Sequence, residues 1–167
     1  YKSCPNCGKT ETMNSGEIIS SFFDESSFLE FYSKLKPEDL LPKVVLTEEY
    51  REMLNAAEKK ADNSESLTVG IASINGFLVG AAINDFTFLG GSMGAVFGEK
   101  YFCLAEHCIK NGIPFLFFSC SGGARMQEGT IALSQMGKTA YITRKMRSNH
   151  IPTIAVVMHP TTGGVPS

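Results

Sequence analysis

The sequence predicts an α/β fold in which short apolar strands alternate with helices, and three observations support this. Two apolar runs at 67–74 and 77–86 flank Asn75-Gly76, a pair that is typical of a β-hairpin turn. Helical and strand patterns then alternate along the rest of the chain. In such folds ligands bind where strand ends meet helix N-termini. Glycine-rich turns recur at these places, after Phe88, after Cys120 and after Thr162.

Length and composition indicate a globular protein. The 167 residues are enough for one domain with a hydrophobic core and a small appendage. A hydrophobic fraction of 43% and a charged fraction of 19% argue against disorder, and the net charge of −2 argues against nucleic acid as a partner. The sequence shows no run long enough to span a membrane and no signal-peptide pattern. Three cysteines lie in apolar stretches, which predicts reduced thiols in a cytoplasmic or plastid-stroma setting: Cys103, Cys108 and Cys120.

The N-terminal segment 1–16 is polar and contains Cys4-Pro5-Asn6-Cys7-Gly8. This spacing presents two thiolates to a zinc ion, and the glycine lets the chain turn beneath them. A structural zinc site needs four ligands, and the sequence contains no second pair of this kind. Half of a zinc ribbon and a metal-free remnant therefore remain alternatives for this segment.

The region 17–65 is predicted to be a helical linker. Its aromatic residues recur at three- and four-residue steps, which predicts a short helix over Phe28, Phe31, Tyr32 and Leu35. Residues 47–61 form a stronger helical pattern, with Thr47 as its cap and lysines at its C-terminal end. The polar stretch 62–66 is the expected boundary of the main domain at 66–167.

The main domain continues with two helices and two buried strands. A helix is expected over 96–110, a strand over 113–118, a second helix from Met126 toward Ser148, and a strand over 152–158. The final strand ends at the third glycine turn, 159–165. The pattern assigns an inward face to the second helix: Met126, Thr130, Leu133, Gly137 and Ala140.

The turn after the 113–118 strand is the sharpest functional signal. Its small residues predict N–H groups without helical partners at Gly122, Gly123 and Ala124, next to a helix N-terminus. Such groups can stabilise an anion or an oxyanion, while the alternative is a tight turn that simply requires small residues. Arg125 and Glu128 are spaced for an i,i+3 ion pair, and for Arg125 a ligand contact is the alternative.

Other common chemistries have no support in the sequence. Neither common phosphate-loop pattern occurs, and no serine lies in a nucleophile elbow. Cys120 ends a buried strand and is interpreted as a core residue rather than a nucleophile. Cys103 and His107 are four residues apart on a helix and are also interpreted as packed side chains, not metal ligands.

Taken in order, the motifs of the main domain resemble those of one family. They are Asp85-Phe86, Gly90-Gly91-Ser92-Met93-Gly94, Gly98-Glu99-Lys100, residues 121–129, Gln135-Met136-Gly137-Lys138-Thr139 and residues 160–165. The chain resembles the carboxyltransferase beta subunit of bacterial- or plastid-type acetyl-CoA carboxylase. The resemblance implies a crotonase-like fold of ββα units, of which 66–167 would be the N-terminal part. It also implies transfer of a carboxyl group from carboxybiotin to acetyl-CoA, which gives malonyl-CoA for fatty acid synthesis.

The resemblance further implies partners and site residues. The partners would be an alpha subunit and a biotin carboxyl carrier protein, in an α2β2-like hetero-oligomer within an ATP-dependent complex. The N–H groups of Gly122 and Gly123 would hold the thioester oxygen as the enolate forms, and Cys4 and Cys7 would be the second knuckle of a zinc ribbon. The implied substrate-binding residues are Gly90, Gly91, Ser92, Met93, Gly94, Ala124 and Arg125.

The sequence departs from the family pattern at both ends. The first zinc knuckle is missing, and the family continues beyond Ser167 with further ββα units. Two alternatives therefore stay beside the enzyme interpretation. One is a non-catalytic, truncated paralog or binding module, and the other is a related carboxylase or decarboxylase of a secondary-metabolite pathway.

Overall fold

The computed structural model describes residues 3–9, 11–61 and 63–162. These ranges contain five helices and five strands, together with short 3-10 turns at Leu89–Gly91 and Met126–Glu128. The helices are α1 (Ser15–Phe22), α2 (Pro37–Leu40), α3 (Glu48–Ala61), α4 (Ala95–Asn111) and α5 (Thr130–Ser148). The strands are β1 (Leu29–Phe31), β2 (Leu67–Ile74), β3 (Phe77–Asn84), β4 (Phe115–Ser121) and β5 (Thr153–Thr161).

The strands form one sheet in the order β1-β2-β3-β4-β5. β1, β2 and β3 are antiparallel, and β4 and β5 run parallel to β3. The predicted hairpin is confirmed, since Ile74 pairs with Phe77 across the Asn75-Gly76 turn. α4 connects β3 to β4 and α5 connects β4 to β5, as parallel strands require. The α/β prediction is therefore confirmed, and the carboxyl ends of β3 and β4 bring two glycine turns to the same edge.

Three apolar clusters hold the helices to the sheet. α4 and α5 cover one face through a cluster that includes Leu104, Phe115 and Ile142, all with no exposed surface. α1 packs on the opposite face, where the rings of Phe22 and Phe118 meet edge to face with centroids 5.0 Å apart. The third cluster holds α3 against the loop that follows β3.

The helix predicted over Phe28–Leu35 is wrong. Leu29–Phe31 is an edge strand that pairs antiparallel with β2, and Leu29 lies opposite Ile71. Tyr32 has a φ of 57°, which a helix does not accommodate. The free edge of β2 therefore outweighed the helical spacing of the aromatic residues. The helix of this region is α1, which lies earlier and begins at a capping box formed by Asn14 and Glu17.

The inward face predicted for the second helix of the main domain is also wrong. Met126 lies before α5 and is 87% exposed, and Leu133 is 52% exposed. The helix begins only at Thr130, after a 3-10 turn and Gly129 at a φ of 56°. This interruption shifts the helical phase relative to a continuous pattern starting at Met126. Gly137 and Ala140 are exposed as well. The buried positions of α5 are instead Ala132, Gln135, Ile142 and Met146.

The helix predicted over 96–110 is confirmed as α4, which ends at Gly112 in the left-handed conformation. Among the described residues, no helix has the length and apolar character needed to cross a membrane. The strand predicted over 152–158 extends further than expected, because β5 runs to Thr161 and so includes the first residues of the predicted third turn. Residues 163–165 of that turn lie outside the described residues.

Candidate active site

Two glycine turns meet at the carboxyl ends of β3 and β4. We call residues 90–94 the first turn and residues 121–125 the second turn. The second turn docks on the first through the N–H of Gly122, which donates to the carbonyl of Gly90 at 2.8 Å. Met93 donates its N–H to Gly123 at 2.8 Å and accepts from Arg125 at 2.9 Å. The structure thus brings the predicted substrate-binding residues of both turns into one unit.

Gly91 shows why this docking needs small residues. Its φ is 64°, and a Cβ atom built on it would overlap the carbonyl oxygen of Cys120. Any larger residue would force β4 and the first turn apart. At this position the requirement for glycine is therefore steric, as the simpler interpretation of the turns anticipated.

The docking changes which N–H groups are open. N–H groups without helical partners were expected at Gly122, Gly123 and Ala124. In the structure Gly122 bonds to Gly90, and Gly123 bonds to the hydroxyl of Ser121 at 3.0 Å, both outside any helix. Within the described part of the chain, the N–H groups of Ala124 and Gly94 have no hydrogen-bond partner. The opposing turn and a neighbouring hydroxyl thus supply non-helical acceptors for two of the three groups. Among the described residues the N–H of Gly90 has no partner either, so the first turn keeps open donors at Gly90 and Gly94 and the second keeps one at Ala124.

The helix that starts at the site is also not the expected one. α5 does not follow the second turn directly, because the 3-10 turn Met126–Glu128 intervenes. α4 instead begins at Ala95, directly after the first turn. The N-terminal end of the helix dipole at this site therefore belongs to α4.

A buried ion cluster lies beneath the two turns. We define it as Tyr50, Glu65, Arg125 and Glu128, and the charged side chains of all three ionic members have no exposed surface. Arg125 forms ion pairs with both carboxylates: its Nη1 lies 2.9 Å from Glu65 Oε2 and 3.3 Å from Glu128 Oε1. A second contact joins its Nη2 to Glu65 Oε1. The predicted i,i+3 pair of Arg125 and Glu128 is confirmed.

The cluster contacts the first turn as well. Arg125 Nη2 donates to the carbonyl of Ser92 at 2.8 Å, and Arg125 Nε donates to its hydroxyl at 3.2 Å. The guanidinium also lies over the ring of Phe88, with its Cζ 5.5 Å from the centroid. The structure thus places Arg125, predicted to bind substrate, under the turns and in contact with protein groups on every side.

Mutual pairing keeps Glu65 and Arg125 ionised. Burial by itself would raise the pKa of Glu65, but the charge of Arg125 and hydrogen bonds from Arg125 and Ser66 hold it below its usual value. Burial likewise opposes the charge on Arg125, and Glu65 more than compensates, so the pKa of Arg125 is raised. Burial raises the pKa of Tyr50, so its hydroxyl keeps its proton and donates to Glu128. The cluster is therefore a charged, hydrogen-bonded unit.

Sequence reasoning missed Tyr50 and Glu65 as members of this unit. Tyr50 lay on the apolar stripe of α3, where a packing role sufficed. Glu65 lay in a polar stretch and pairs with Arg125 across 60 positions of sequence. Tyr50 at an inward helical position was a weak signal, because a buried hydroxyl needs a partner. Glu65 gave none.

A cleft of about 970 Å³ opens beside the first turn, between α5 and the end of the sheet. Met93 and Phe97 form its apolar wall, and Ser119 contributes a buried hydroxyl that has no hydrogen-bond partner among the described residues. The cleft has the size and mixed lining of a ligand site.

The cysteines divide into two groups. Cys120 is 1% exposed and burial raises its pKa to about 11, in agreement with its interpretation as a core residue. Burial also raises the pKa of Cys108 to about 12 and of Cys103 to about 11. The pKa of Cys4 is lowered instead, chiefly by hydrogen bonds from the backbone of Cys7 and Asn6.

The knuckle at Cys4 and Cys7 has the turn that the sequence predicted. The N–H of Gly8 donates to the carbonyl of Cys4 at 2.9 Å, and Gly8 has a φ of 69°. In the described ranges no three His, Cys, Asp or Glu side chains cluster as a metal site would require.

Comparison with known proteins assigns the family. The carboxyl transferase domain family matches residues 44–165. The acetyl-coenzyme A carboxylase carboxyl transferase subunit beta of Protochlamydia amoebophila is 39% identical over 162 residues. That match covers 97% of this chain and 53% of the relative, so the chain spans about half the length of the curated relative.

Solved structures agree on the fold. Transcarboxylase 12S with bound methylmalonyl-coenzyme A is 31% identical with a TM-score of 0.70, over 87% of this chain and 25% of that one. A malonate decarboxylase hetero-dimer from Pseudomonas is 20% identical with a TM-score of 0.65, over 91% of this chain and 56% of that one. The two glycine turns, the parallel strands behind them and these similarities agree: the chain belongs to the carboxyl transferase domain family, as a crotonase-fold homologue of the acetyl-CoA carboxylase beta subunit.

Proposed function

We propose that this chain forms the acyl-CoA side of a carboxyltransferase that makes malonyl-CoA from acetyl-CoA and carboxybiotin. One observation carries the proposal. The two glycine turns dock on each other at the carboxyl ends of parallel strands, and among the described residues each leaves a backbone N–H open beside the docked segment, at Gly94 and at Ala124. Paired backbone donors suit a reaction in which negative charge develops on a thioester oxygen.

The chemistry requires a donor to that oxygen. Removal of a proton from the methyl group of acetyl-CoA moves charge onto the carbonyl, and each aligned N–H typically contributes ~10²–10³ in rate. Ala124 and Gly94 are the proposed donors. Gly123 would be a third donor only when its N–H is released from the buried Ser121 hydroxyl that accepts it. Gly122 would act by holding the turns together.

Other polypeptides would supply the biotin that the reaction at this site requires. Carboxybiotin on a carrier protein would supply the CO2 and, after losing it, the base that takes the methyl proton. This chain would bind the thioester, orient its carbonyl and keep the enolate oxygen hydrogen-bonded. An alpha subunit would bring the biotin, in a hetero-oligomer.

A zinc ion would bind at the N-terminal knuckle rather than at the reaction site. Cys4 and Cys7 fit two of its four ligands, because the backbone N–H groups that lower the pKa of Cys4 favour the thiolate that zinc binds. There zinc would fix the turn of the N-terminal segment.

The proposal is tested by combining the complete beta subunit with an alpha subunit and following malonyl-CoA formation from acetyl-CoA and carboxybiotin. We expect activity in the wild type and its loss in Gly123→Val, since Gly123 has a φ of +121° that valine does not adopt. The alternative is a binding module. It would be identified if the wild type shows neither activity nor CoA binding and if partner binding is retained in Gly123→Val.

The acyl group is a second question for the same assay. Transcarboxylase 12S, solved with methylmalonyl-coenzyme A, is 31% identical to this chain. Carboxyl transfer from malonyl-CoA and from methylmalonyl-CoA to free biotin should therefore be compared. A preference for the malonyl thioester supports the acetyl-CoA assignment, and a preference for the methylmalonyl thioester contradicts it.

A further inference from the structure

The carboxylate of Glu128 joins the two glycine turns through side-chain contacts. Its Oε2 accepts the N–H of Ala95 at 2.6 Å, at the first residue of α4 and directly after the first turn. Its Oε1 accepts the hydroxyl of Tyr50 at 2.6 Å and lies 3.3 Å from Nη1 of Arg125, the last residue of the second turn. One carboxylate thus fixes the beginning of α4 relative to the second turn.

Gly94 is packed directly against this carboxylate. A Cβ atom built on Gly94 would overlap Glu128 Oε1 and would lie 2.9 Å from Arg125 Nη1. Gly94 also carries an N–H of the first turn that has no partner among the described residues. The residue that presents the proposed donor therefore rests on the ion cluster with no side chain between them.

The same contact determines what the N-terminus of α4 can bind. Glu128 places a negative charge at the positive end of the helix dipole, where an anionic ligand would otherwise bind. The proposed stabilisation of an oxyanion consequently rests on individual N–H groups of the turns, and their relative placement decides its strength.

We propose that Glu128 is a positioning residue for carboxyl transfer, which holds the N–H groups of Gly94 and Ala124 in the relative placement that one thioester oxygen requires. The inference rests on the proposed function. It assigns Glu128 no contact with substrate, since its side chain is fully buried. Its effect passes through Ala95 and the first turn, and a small displacement of such donors costs much of their contribution to the rate.

Glu128→Gln tests the proposal in the assembled enzyme. Glutamine keeps the shape of the side chain but replaces one acceptor oxygen by an NH2 group, so Ala95 or Tyr50 loses its acceptor. We expect kcat to fall by about tenfold or more while KM for acetyl-CoA changes by less than about twofold. Glu106→Gln is the matched control, because Glu106 lies on α4 in an exposed ion pair with Lys145, and it should leave both constants unchanged.

Tyr50→Phe provides a second variant should Glu128→Gln fail to fold. It removes one donor to the carboxylate and keeps the bond to Ala95, so we expect a smaller fall in kcat with the same unchanged KM. Equal kcat in the wild type and the folded variants would overturn the proposal. Losses of kcat that merely follow the loss of folded protein by circular dichroism would overturn it too.

An amide NMR measurement separates this inference from the proposed function. If the wild type transfers no carboxyl group, the Gly94 and Ala124 amide resonances still report whether Glu128 positions the turns. Glu128→Gln should shift both resonances, and Glu106→Gln should shift neither. Unchanged Gly94 and Ala124 resonances in Glu128→Gln would overturn the positioning role whatever the activity of the enzyme.

Discussion

Gly94→Ala is the smallest change that reaches the buried ion cluster. Gly94 has a φ of −118°, which alanine adopts without strain, so the effect of the substitution is steric. The added methyl group must displace Glu128 Oε1, which accepts the Tyr50 hydroxyl and pairs with Arg125. Overpacking costs about 1–3 kcal/mol. A buried polar group that loses its partner costs about 1–3 kcal/mol more.

The sum, about 2–6 kcal/mol, is a large share of the ~5–15 kcal/mol by which domains are stable. For a chain of this size it corresponds to a fall in Tm on the order of 10 °C. Gly137→Ala is the matched control, because Gly137 lies within α5 and a Cβ atom there meets nothing within 4 Å. We expect that control to raise the free energy of unfolding by about 0.5–1 kcal/mol.

Urea and thermal unfolding of both variants, followed by circular dichroism, measure this difference. Gly94→Ala should unfold at lower urea concentration than the wild type with an unchanged m-value. Gly137→Ala should match or exceed the wild type. If the two variants differ by less than about 1 kcal/mol in free energy of unfolding, the close packing of Gly94 on the ion cluster does not constrain the turn, and the reasoning fails.

Three further predictions concern the packing, thiols and charge of the chain. Phe118→Ala should lower the free energy of unfolding by about 3–5 kcal/mol in urea titration, because it empties the site against Phe22; a loss below 1 kcal/mol would contradict the packing of α1. Iodoacetamide at neutral pH should label Cys4 well before Cys108, as read by peptide mass spectrometry, since backbone hydrogen bonds lower the pKa of the first and burial raises that of the second to about 12. The folded pKa of Glu65 lies below its unfolded value of 4.5, so its contribution to stability is present above pH 4.5 and is lost as the pH falls through the folded pKa; unfolding free energies that stay flat from pH 5 to pH 3 would refute it.

The regular part of the fold could be predicted from local signals. The Asn75-Gly76 turn, the apolar runs beside it and the caps of α4 lie within a few residues of the elements they specify. β1 could not be found in this way. Its strand conformation depends on pairing with β2, in which Leu29 lies opposite Ile71, and no pattern within 28–35 encodes that distant contact.

The two glycine turns and one ion pair were predictable from the sequence, whereas the hydrogen bonds between the turns were not. The sequence located both turns and the Arg125–Glu128 pair, because glycine runs and i,i+3 charges are local features. Which N–H groups stay open depends on how one turn lies against the other. The N–H of Gly122 bonds to a carbonyl on a different loop, and the open N–H of Gly94 could be identified only in the folded chain.

The ion cluster raises the question of why a buried site keeps charges that apolar side chains of similar volume could replace with equal or greater stability. Three backbone hydrogen bonds between the turns, at 2.8, 2.8 and 2.9 Å, bring the turns together. Each is worth only ~0.5–1.5 kcal/mol, and glycine, which permits the close approach, restricts the backbone less than any other residue type. Apolar contacts would also hold the turns together, but they are not directional and would not fix the orientation of one turn relative to the other. The carboxylate of Glu128 accepts from Ala95 and Tyr50 along fixed directions, so it selects one arrangement of turns that the backbone alone leaves free to shift.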